Sequence, residues 1–400
     1  MRSQTDYIVT KEEVYGYANH WLSSSLKLEY EGTKCTASTL LQVLLIAASR
    51  VASVFAVCRD LADAPCDQTI RNALSDSLPN IGELERRLNR SLTTKLPKAL
   101  LRKSRRIAID LTLIPYHGQP LEDEKEIYRS APKSGTTHFH AYATAAVVHK
   151  GHRYTLALIH VEHGETMKSV VQRLLAILRR RQVKIRFLLL DKGFFSVEVI
   201  SSLKRAGHGF IIPAMARGRK PKGRKKATGL RAIQKKKNGY YRHTLRGKID
   251  GKDRGTQVTI CVASKRFQHK KTGKRKTKKL MYATWKVRQT PKDIRETYRT
   301  RFGIETSYRQ MNEARIKTCT RDPALRLLFV GIALVLRNVW VWLHFQLAKN
   351  KSSDEPKLFL ELLRFREMLL WIGQVVGRML GADQHQGIDR DTYQRLTAHQ

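Results

Sequence analysis

The spacing of apolar residues changes along the chain. Up to about residue 100 apolar positions recur with helical spacing, whereas from Arg105 onward apolar and polar residues alternate as in strands. After residue 215, strand-like segments are separated by two basic stretches that we predict to be loops, RGRKPKGRKKATG and KRFQHKKTGKRKTKK. Helical spacing returns at Thr290. These changes divide the chain into five segments: 1–100, 101–215, 216–288, 289–322 and 323–400.

The N-terminal segment is predicted to be helical. Within about 39–78, two short amphipathic stretches (VASVFAVCRDLA and CDQTIRNALSDSL) are joined by a tight turn, and the second begins at Asp67 and carries Arg71. This pattern fits a helix-turn-helix whose second helix enters the major groove of DNA. It fits an ordinary helical bundle about as well, so both interpretations stay open.

The central segment predicts an α/β fold. Three strand-like stretches come first (RRIAIDLTLIP, HFHAYATAAVV and HRYTLALIHV), followed in order by a helix, the strand KIRFLLLD, a second helix and the strand GFIIPA. Later strands that arrive through helical crossovers imply a mixed sheet with helices on both faces.

The C-terminal part is predicted to be helical again. Thr290 and Pro291 form a strong helix start, and the pattern predicts one helix that continues through IRETYRTRFGIETSYRQMNEAR. Two apolar helices follow, at about 323–348 and 356–380. The stretch 327–347 is apolar but is interrupted by Arg337, which favours a buried core helix over a membrane span.

Positive charge dominates the composition and is concentrated in one segment. The 400 residues contain 76 Lys and Arg against 34 Asp and Glu, a net charge of +42. Residues 217–279 hold 25 Lys and Arg and only two acids, which predicts a small basic β-rich insertion that binds nucleic-acid phosphates; an anionic membrane surface is the alternative partner. The candidate phosphate contacts in the insertion include Lys225, Lys226, Lys235 and Lys236.

The cysteines and the N-terminus indicate a reducing compartment. There are five cysteines and no C-x2-C pair, which argues against a disulfide framework and a structural zinc site. The first residues lack the apolar core of a secretory signal. We therefore expect a cytoplasmic protein.

Two aspartates lie on apolar strands, where a lone carboxylate is costly to bury. Asp110 falls in the middle of the first strand, and Asp191 ends the strand FLLLD, where ligands of open α/β sheets bind. A third acid, Glu305, shares a helix face with Arg301 four residues before it. Three converging carboxylates could hold two Mg²⁺ ions, with Mn²⁺ able to substitute, and the ions would promote in-line phosphoryl displacement.

These residues resemble the DDE transposases of insertion sequences, in the subgroup with a Tyr-x2-Arg-x3-Glu signature. AIDLTLIP, LLLDKGFFS and YRTRFGIETSYRQ carry the resemblance, and Tyr298, Arg301 and Glu305 match the signature. The resemblance implies an RNase H-like core with a β-rich insertion. It also implies DNA end cleavage and strand transfer by the two aspartates and Glu305, a prokaryotic, nucleoid-associated setting, and a homodimer holding terminal inverted repeats and target DNA.

The resemblance also assigns contacts to DNA. Arg301 is expected to hold Glu305 or the scissile phosphate, and Trp285 to stack on a base taken out of the helix. The remaining expected contacts are Tyr298, Arg309 and Lys192. One departure stands out, because the family pattern has a lysine seven residues after the glutamate and this chain has Asn312.

Two other functions are compatible with parts of the pattern. A structure-specific nuclease on the same core would keep the carboxylates and need no recombination partner. A non-catalytic nucleic-acid-binding protein would keep the basic segment and be indifferent to the acids. Loss of activity with retained DNA binding in Asp191→Asn would exclude the second of these.

Overall fold

A computed structural model describes residues 9–347, except 34, 97, 150–151, 223–224, 250, 269–272 and 274, and residues 362–382. The helices before the sheet are α1 (Lys11–Leu26), α2 (Ala37–Arg50), α3 (Val54–Arg59), α4 (Asp67–Ser77), α5 (Ile81–Leu92) and α6 (Lys98–Arg102). The strands are β1 (Arg105–Pro115), β2 (Tyr128–Lys133), β3 (Thr136–His149), β4 (His152–Val161), β5 (Ile185–Leu190), β6 (Phe210–Pro213), β7 (Gly239–Ile249), β8 (Lys252–Gln268) and β9 (Arg275–Trp285). The later helices are α7 (Met167–Arg180), α8 (Val197–Arg205), α9 (Gly229–Gln234), α10 (Pro291–Arg299), α11 (Gly303–Asn312), α12 (Pro323–Leu347) and α13 (Phe365–Met379).

The nine strands form one mixed sheet. Its order is β2-β3-β1-β5-β6-β9-β8-β7, and β4 also pairs with β3. β1 is antiparallel to β3 and parallel to β5, while β5 and β6 are parallel. The mixed sheet predicted from the sequence is therefore present. The exposed strand β2 was not predicted, because its short polar sequence (YRSAPK) does not alternate.

The two faces of the sheet have separate cores, because successive residues of a strand point to opposite faces. Ile107, Ile109, Leu188 and Leu190 pack in a large core that includes the inward face of α7. Their neighbours Ala108, Phe187 and Leu189 pack in a smaller core with Ile294, Tyr298 and Ile304 of the α10–α11 region. The two helical layers therefore lie on opposite faces of the sheet.

The N-terminal and C-terminal helices form one body beside β4. α12 packs against α5, α1 and β4, while α13 packs against α2 and α1. The 24 residues Pro323–Gln346 are long and apolar enough to cross a membrane, and 89% of their most apolar window is buried inside the protein. α3 and α4 are in contact and lie where the helix-turn-helix was predicted. The predicted helix at about 356–380 is described only from Phe365, and its earlier part lies outside the described residues.

The basic insertion continues the sheet through β9, β8 and β7. We predicted a loop for KRFQHKKTGKRKTKK, but β8 extends to Gln268 and β9 begins at Arg275, so much of this stretch is a paired ribbon. The charge run concealed the strands, because backbone pairing tolerates lysines on an exposed face. The loop predicted for residues 217–229 leads directly into α9, which the sequence pattern did not predict.

The single helix predicted after Thr290 is divided. α10 ends at Arg299, a 3-10 turn occupies Thr300–Phe302, and α11 ends at Asn312, so the helix stops short of Arg315. Gly303 follows the turn, and a Cβ atom added there would lie 2.9 Å from Nε of Arg153. The absence of a side chain lets the arginine of β4 approach the helix backbone closely.

Candidate active site

The parallel pairing of β1 and β5 brings the two aspartates side by side. Ile109 pairs with Leu190, so Asp110 and Asp191 follow at neighbouring positions of adjacent strands. Asp110 points to the face covered by α10 and α11, while Asp191 directly follows β5 and precedes a 3-10 turn at Lys192–Phe194. We call this edge the carboxylate end of the sheet.

The third acid comes from the helical layer above this edge. Glu305 lies in the first turn of α11, and Arg301 lies in the preceding 3-10 turn. Ile294, Tyr298 and Ile304 are buried on the sheet and anchor this region. The chain thus assembles Asp110, Asp191 and Glu305, which we call the carboxylate cluster, from positions far apart in the sequence.

One guanidinium joins the whole carboxylate cluster. Nη1 of Arg301 lies 3.0 Å from Oδ2 of Asp110, and Nη2 lies 2.8 Å from Oε1 of Glu305 and 3.5 Å from Oδ1 of Asp191. The Arg301 side chain is only 6% exposed. Since the cluster carries three negative charges when ionised and Arg301 supplies one positive charge, two negative charges remain uncompensated by this contact.

The carboxyl group of Asp110 is destabilised in its charged form. Burial raises its pKa to about 6, the positive charge of Arg301 opposes this shift, and the negative charge of Asp191 adds to it. The surroundings of Arg301, in contrast, favour its charged form. Although burial lowers its pKa, the neighbouring Tyr298 and the three carboxylates raise it above the usual value, so the guanidinium stays charged.

Two residues that the sequence analysis missed support Asp110. The hydroxyl of Tyr308 donates to the backbone carbonyl of Asp110 at 3.1 Å and lies 2.7 Å from Oγ1 of Thr144, the residue paired with Asp110 across β3. Tyr308 follows Glu305 by three positions on the same helix, and this spacing was the available signal. The pair fixes the backbone that carries the buried carboxylate.

Tyr298 is placed differently from the expectation that it binds DNA phosphate. Its side chain is buried, and its hydroxyl donates to the carbonyl of Leu190 at 3.3 Å. Burial raises its pKa, which keeps the hydroxyl protonated. The ring also lies beneath the guanidinium of Arg301, 5.7 Å from its centroid. Tyr298 therefore positions β5 and Arg301.

Two groups of the other expected DNA contacts lie at the carboxylate end of the sheet. Lys192 and Arg309 are exposed beside the carboxylate cluster. The first basic stretch of the insertion lies at the same end of the sheet. The guanidinium of its Arg217 lies over the ring of Phe195, and Asn238 accepts a hydrogen bond from the hydroxyl of Ser264. This stretch carries four of the expected contacts: Lys225, Lys226, Lys235 and Lys236.

Trp285 is not brought to the carboxylate end. It pairs with Phe210 at the start of β6, and the two rings are stacked with centroids 6.5 Å apart. Pro213 lies three residues further along β6, at about the level of Asp191. Phe210 and its partner Trp285 are therefore roughly 10 Å along the strand from the level of Asp191. The indole therefore packs on the sheet at its other end.

The ligand chemistry of the cluster suits a hard divalent cation. All three side chains offer carboxylate oxygens, the donors that Mg²⁺ prefers. Asp191 and Glu305 are each 43% exposed, and their described contacts use one oxygen of each group. Among the described residues, no three His, Cys, Asp or Glu side chains are close enough to form a ready-made metal cluster, because Arg301 lies between the acids.

Comparisons with known proteins agree with this geometry. The model of the Transposase DDE domain matches residues 101–338, which span β1 to α12 and contain the whole carboxylate cluster. No curated protein matches the sequence.

A solved structure of a piggyBac transposase synaptic complex with hairpin DNA is 11% identical, with a TM-score of 0.51 over 99% of this chain and 86% of that one. This likeness confirms the fold predicted from the sequence, a mixed RNase H-like sheet flanked by helices. Since the domain model covers more than half of the residues, the chain belongs to the DDE transposase family.

Proposed function

We propose that the carboxylate cluster is the catalytic centre of a DNA transposase that cleaves the ends of an insertion sequence and joins the freed 3′-OH to target DNA. The observation that carries this proposal is the single guanidinium of Arg301, which holds three acids from distant segments at one edge of the sheet. Structural ion pairs rarely gather three carboxylates on one cation, because two negative charges are left over.

The cluster is proposed to bind two Mg²⁺ ions, with Mn²⁺ able to substitute. Bound divalent ions would activate water or a 3′-hydroxyl and stabilise the leaving oxygen of an in-line displacement. Asp110 would act from the rigid strand, held by Tyr308, while the more exposed Asp191 and Glu305 would supply their outer oxygens. Arg301 orients all three side chains and offers a positive charge to the phosphate.

The path of DNA follows from the positions of the basic residues. Lys192 and Arg309 flank the carboxylate cluster, and the insertion displays its lysines at the same end of the sheet. A duplex that places its scissile phosphate at the cluster would extend along the insertion, where its backbone meets this positive charge. We propose terminal inverted repeats and target DNA as the bound duplexes, and a homodimer that holds two ends in the prokaryotic nucleoid.

The testing experiment maps cuts on a DNA that carries the gene and its flanks. The purified protein is incubated with this linear DNA and Mg²⁺, beside Glu305→Gln and, as a matched control, Glu313→Gln, an exposed glutamate just past the same helix. Paired cuts that bracket the gene, lost in Glu305→Gln and kept in Glu313→Gln, are the expected result.

Other outcomes identify the competing functions. Cuts at branched or irregular positions, with no dependence on two ends, would indicate a structure-specific nuclease. DNA binding with no Mg²⁺-dependent cut in any sample would indicate a non-catalytic binding protein. Cleavage of one end that requires a second end in the same reaction would support the homodimer.

A further inference from the structure

A second strongly basic surface lies at the end of the sheet opposite the carboxylate cluster. It is formed where β1 and β5 begin and where α7 and α8 end, together with one arginine of α5. We call it the basal surface, and its residues are Arg90, Arg102, Lys103, Arg106, Arg179, Arg180, Arg181, Lys184, Arg186 and Arg205. A backbone hydrogen bond from Arg105 N to Lys184 O shows that the starts of β1 and β5 are adjacent.

The basal surface lacks the acids that normally accompany such charge. In the part of the chain that the structure describes, none of its ten side chains forms a salt bridge. Arg106 and Arg186 instead share the ring of Phe187, each 5.8 Å from its centroid. Burial and the charge of Arg186 lower the pKa of Arg106, and burial and the charge of Arg90 lower that of Arg181.

A gain in folding stability does not explain why these basic residues are clustered. Cations at the C-termini of α7 and α8 are favoured by the helix dipole, which explains Arg179, Arg180 and Arg205. The dipole gives no reason for the arginines and lysines at the starts of β1 and β5. Like charges brought together without counter-ions cost free energy, and proteins that keep such surfaces bind polyanions with them.

The basal surface has a ridge between two grooves, a form that can accommodate duplex DNA. α7 forms a ridge between two grooves: one of about 820 Å³, lined by residues that include Arg179 and Arg205, and one of about 460 Å³, lined by residues that include Arg90 and Arg180. Ala176 borders both grooves and so marks the ridge. A helix with its side chains is about 10–12 Å across, and the major groove of B-DNA is about 12 Å wide.

We propose that the basal surface is a second DNA-binding surface, on which the ridge of α7 faces the major groove of a duplex and each flanking groove receives one phosphate backbone. α7 covers the face of the sheet opposite α10 and α11. DNA bound there is therefore a different segment from the one at the carboxylate cluster of the same molecule. DNA binding at the basal surface is independent of which residues perform catalysis.

The test measures the salt dependence of duplex binding without divalent metal, in the Glu305→Gln protein, so that failure of the catalytic proposal cannot affect it. One variant replaces Arg90, Arg179, Arg180 and Arg205 with alanine, and its matched control replaces the same four with lysine. Each lost phosphate contact lowers the slope of log K against log salt by about 0.9. The alanine variant should therefore lose a slope of up to about 3.6, while the lysine variant stays near the parent.

A second measurement locates the DNA. Benzoylphenylalanine placed at Ala176 on the ridge should crosslink to a bound duplex, whereas the same group at Leu370, which is 50% exposed on α13, should not. Melting temperatures identify any variant that fails to fold. An unchanged salt slope in a folded alanine variant, or no adduct at Ala176, would overturn the proposal.

Discussion

Replacing Asp110 with asparagine is expected to abolish strand cleavage and to stabilise the metal-free protein at neutral pH. The side chain is 14% exposed, and burial raises its pKa from the usual 3.8 to about 6 in spite of Arg301. One pKa unit corresponds to about 1.36 kcal/mol, so the charged carboxylate costs the fold roughly 3 kcal/mol. Asparagine has nearly the same shape and carries no charge.

The sign of the pH dependence follows from proton binding. Between pH 3.8 and about 6 the folded state holds a proton on Asp110 that the unfolded state has released, so this group contributes less stability as the pH rises through that window. Above the window the full cost is present. The advantage of asparagine should therefore be near zero at the low-pH limit and grow to roughly 3 kcal/mol at pH 7.

Urea unfolding in EDTA between pH 4.5 and 7.5 measures this difference. Asp76→Asn serves as the matched control, because Asp76 is exposed on α4 and such substitutions usually change stability by less than about 0.5 kcal/mol. An asparagine variant that is less stable than the parent at pH 7, or a difference that stays constant with pH, would refute the reasoning. The first result would mean that the ion pair with Arg301 outweighs the cost of burial, and the second that the two effects balance.

Three further substitutions probe the surroundings of the cluster. Gly303→Ala should change the unfolding free energy, measured by urea unfolding, by less than about 1 kcal/mol, because the new methyl group meets only the flexible end of the Arg153 side chain and the higher helix propensity of alanine offsets the shift. Tyr308→Phe removes the hydroxyl bonded to the carbonyl of Asp110 and should cost about 1 kcal/mol of stability and reduce the cleavage rate in a single-turnover assay. Asn312→Lys restores the charge of the family pattern on an exposed site and should tighten binding of end DNA in a titration; unchanged affinity would contradict the expected phosphate contact.

Much of the central fold could be predicted because its local signals agree with its tertiary environment. β1 alternates where it has two differently packed faces, and β5 is a continuous apolar run because helices cover both of its sides. The same pattern placed Asp110 and Asp191 on apolar strands, but their neighbouring positions come from the parallel pairing of β1 and β5, which the pattern did not predict. Glu305 could be placed only by its spacing from Arg301.

The features that were missed depend on contacts between distant segments. The turn at Thr300–Phe302 interrupts a sequence with good helical spacing, and it lies just before Gly303, where the Arg153 side chain of β4 approaches the helix backbone. The basal surface was missed for a related reason. Its charges come from several short stretches, none of which stands out as a charge run in the way that residues 217–279 do, and only the fold collects them.

The arrangement of charge around the cluster links DNA binding to cation binding. The protein as a whole is strongly positive, yet the described contacts give the carboxylate cluster only Arg301 as a cationic partner. Positive charge on the insertion is proposed to draw the DNA backbone to this end of the sheet, whereas the ionised cluster would repel a phosphate placed against it. The repulsion falls when divalent cations neutralise the remaining negative charge, so phosphate and cation should each strengthen the binding of the other by the same factor. Calorimetric titration of Mn²⁺ into the Asn312→Lys protein with and without end DNA measures that coupling, and equal Mn²⁺ affinities in the two titrations would show that the scissile phosphate does not reach the cluster.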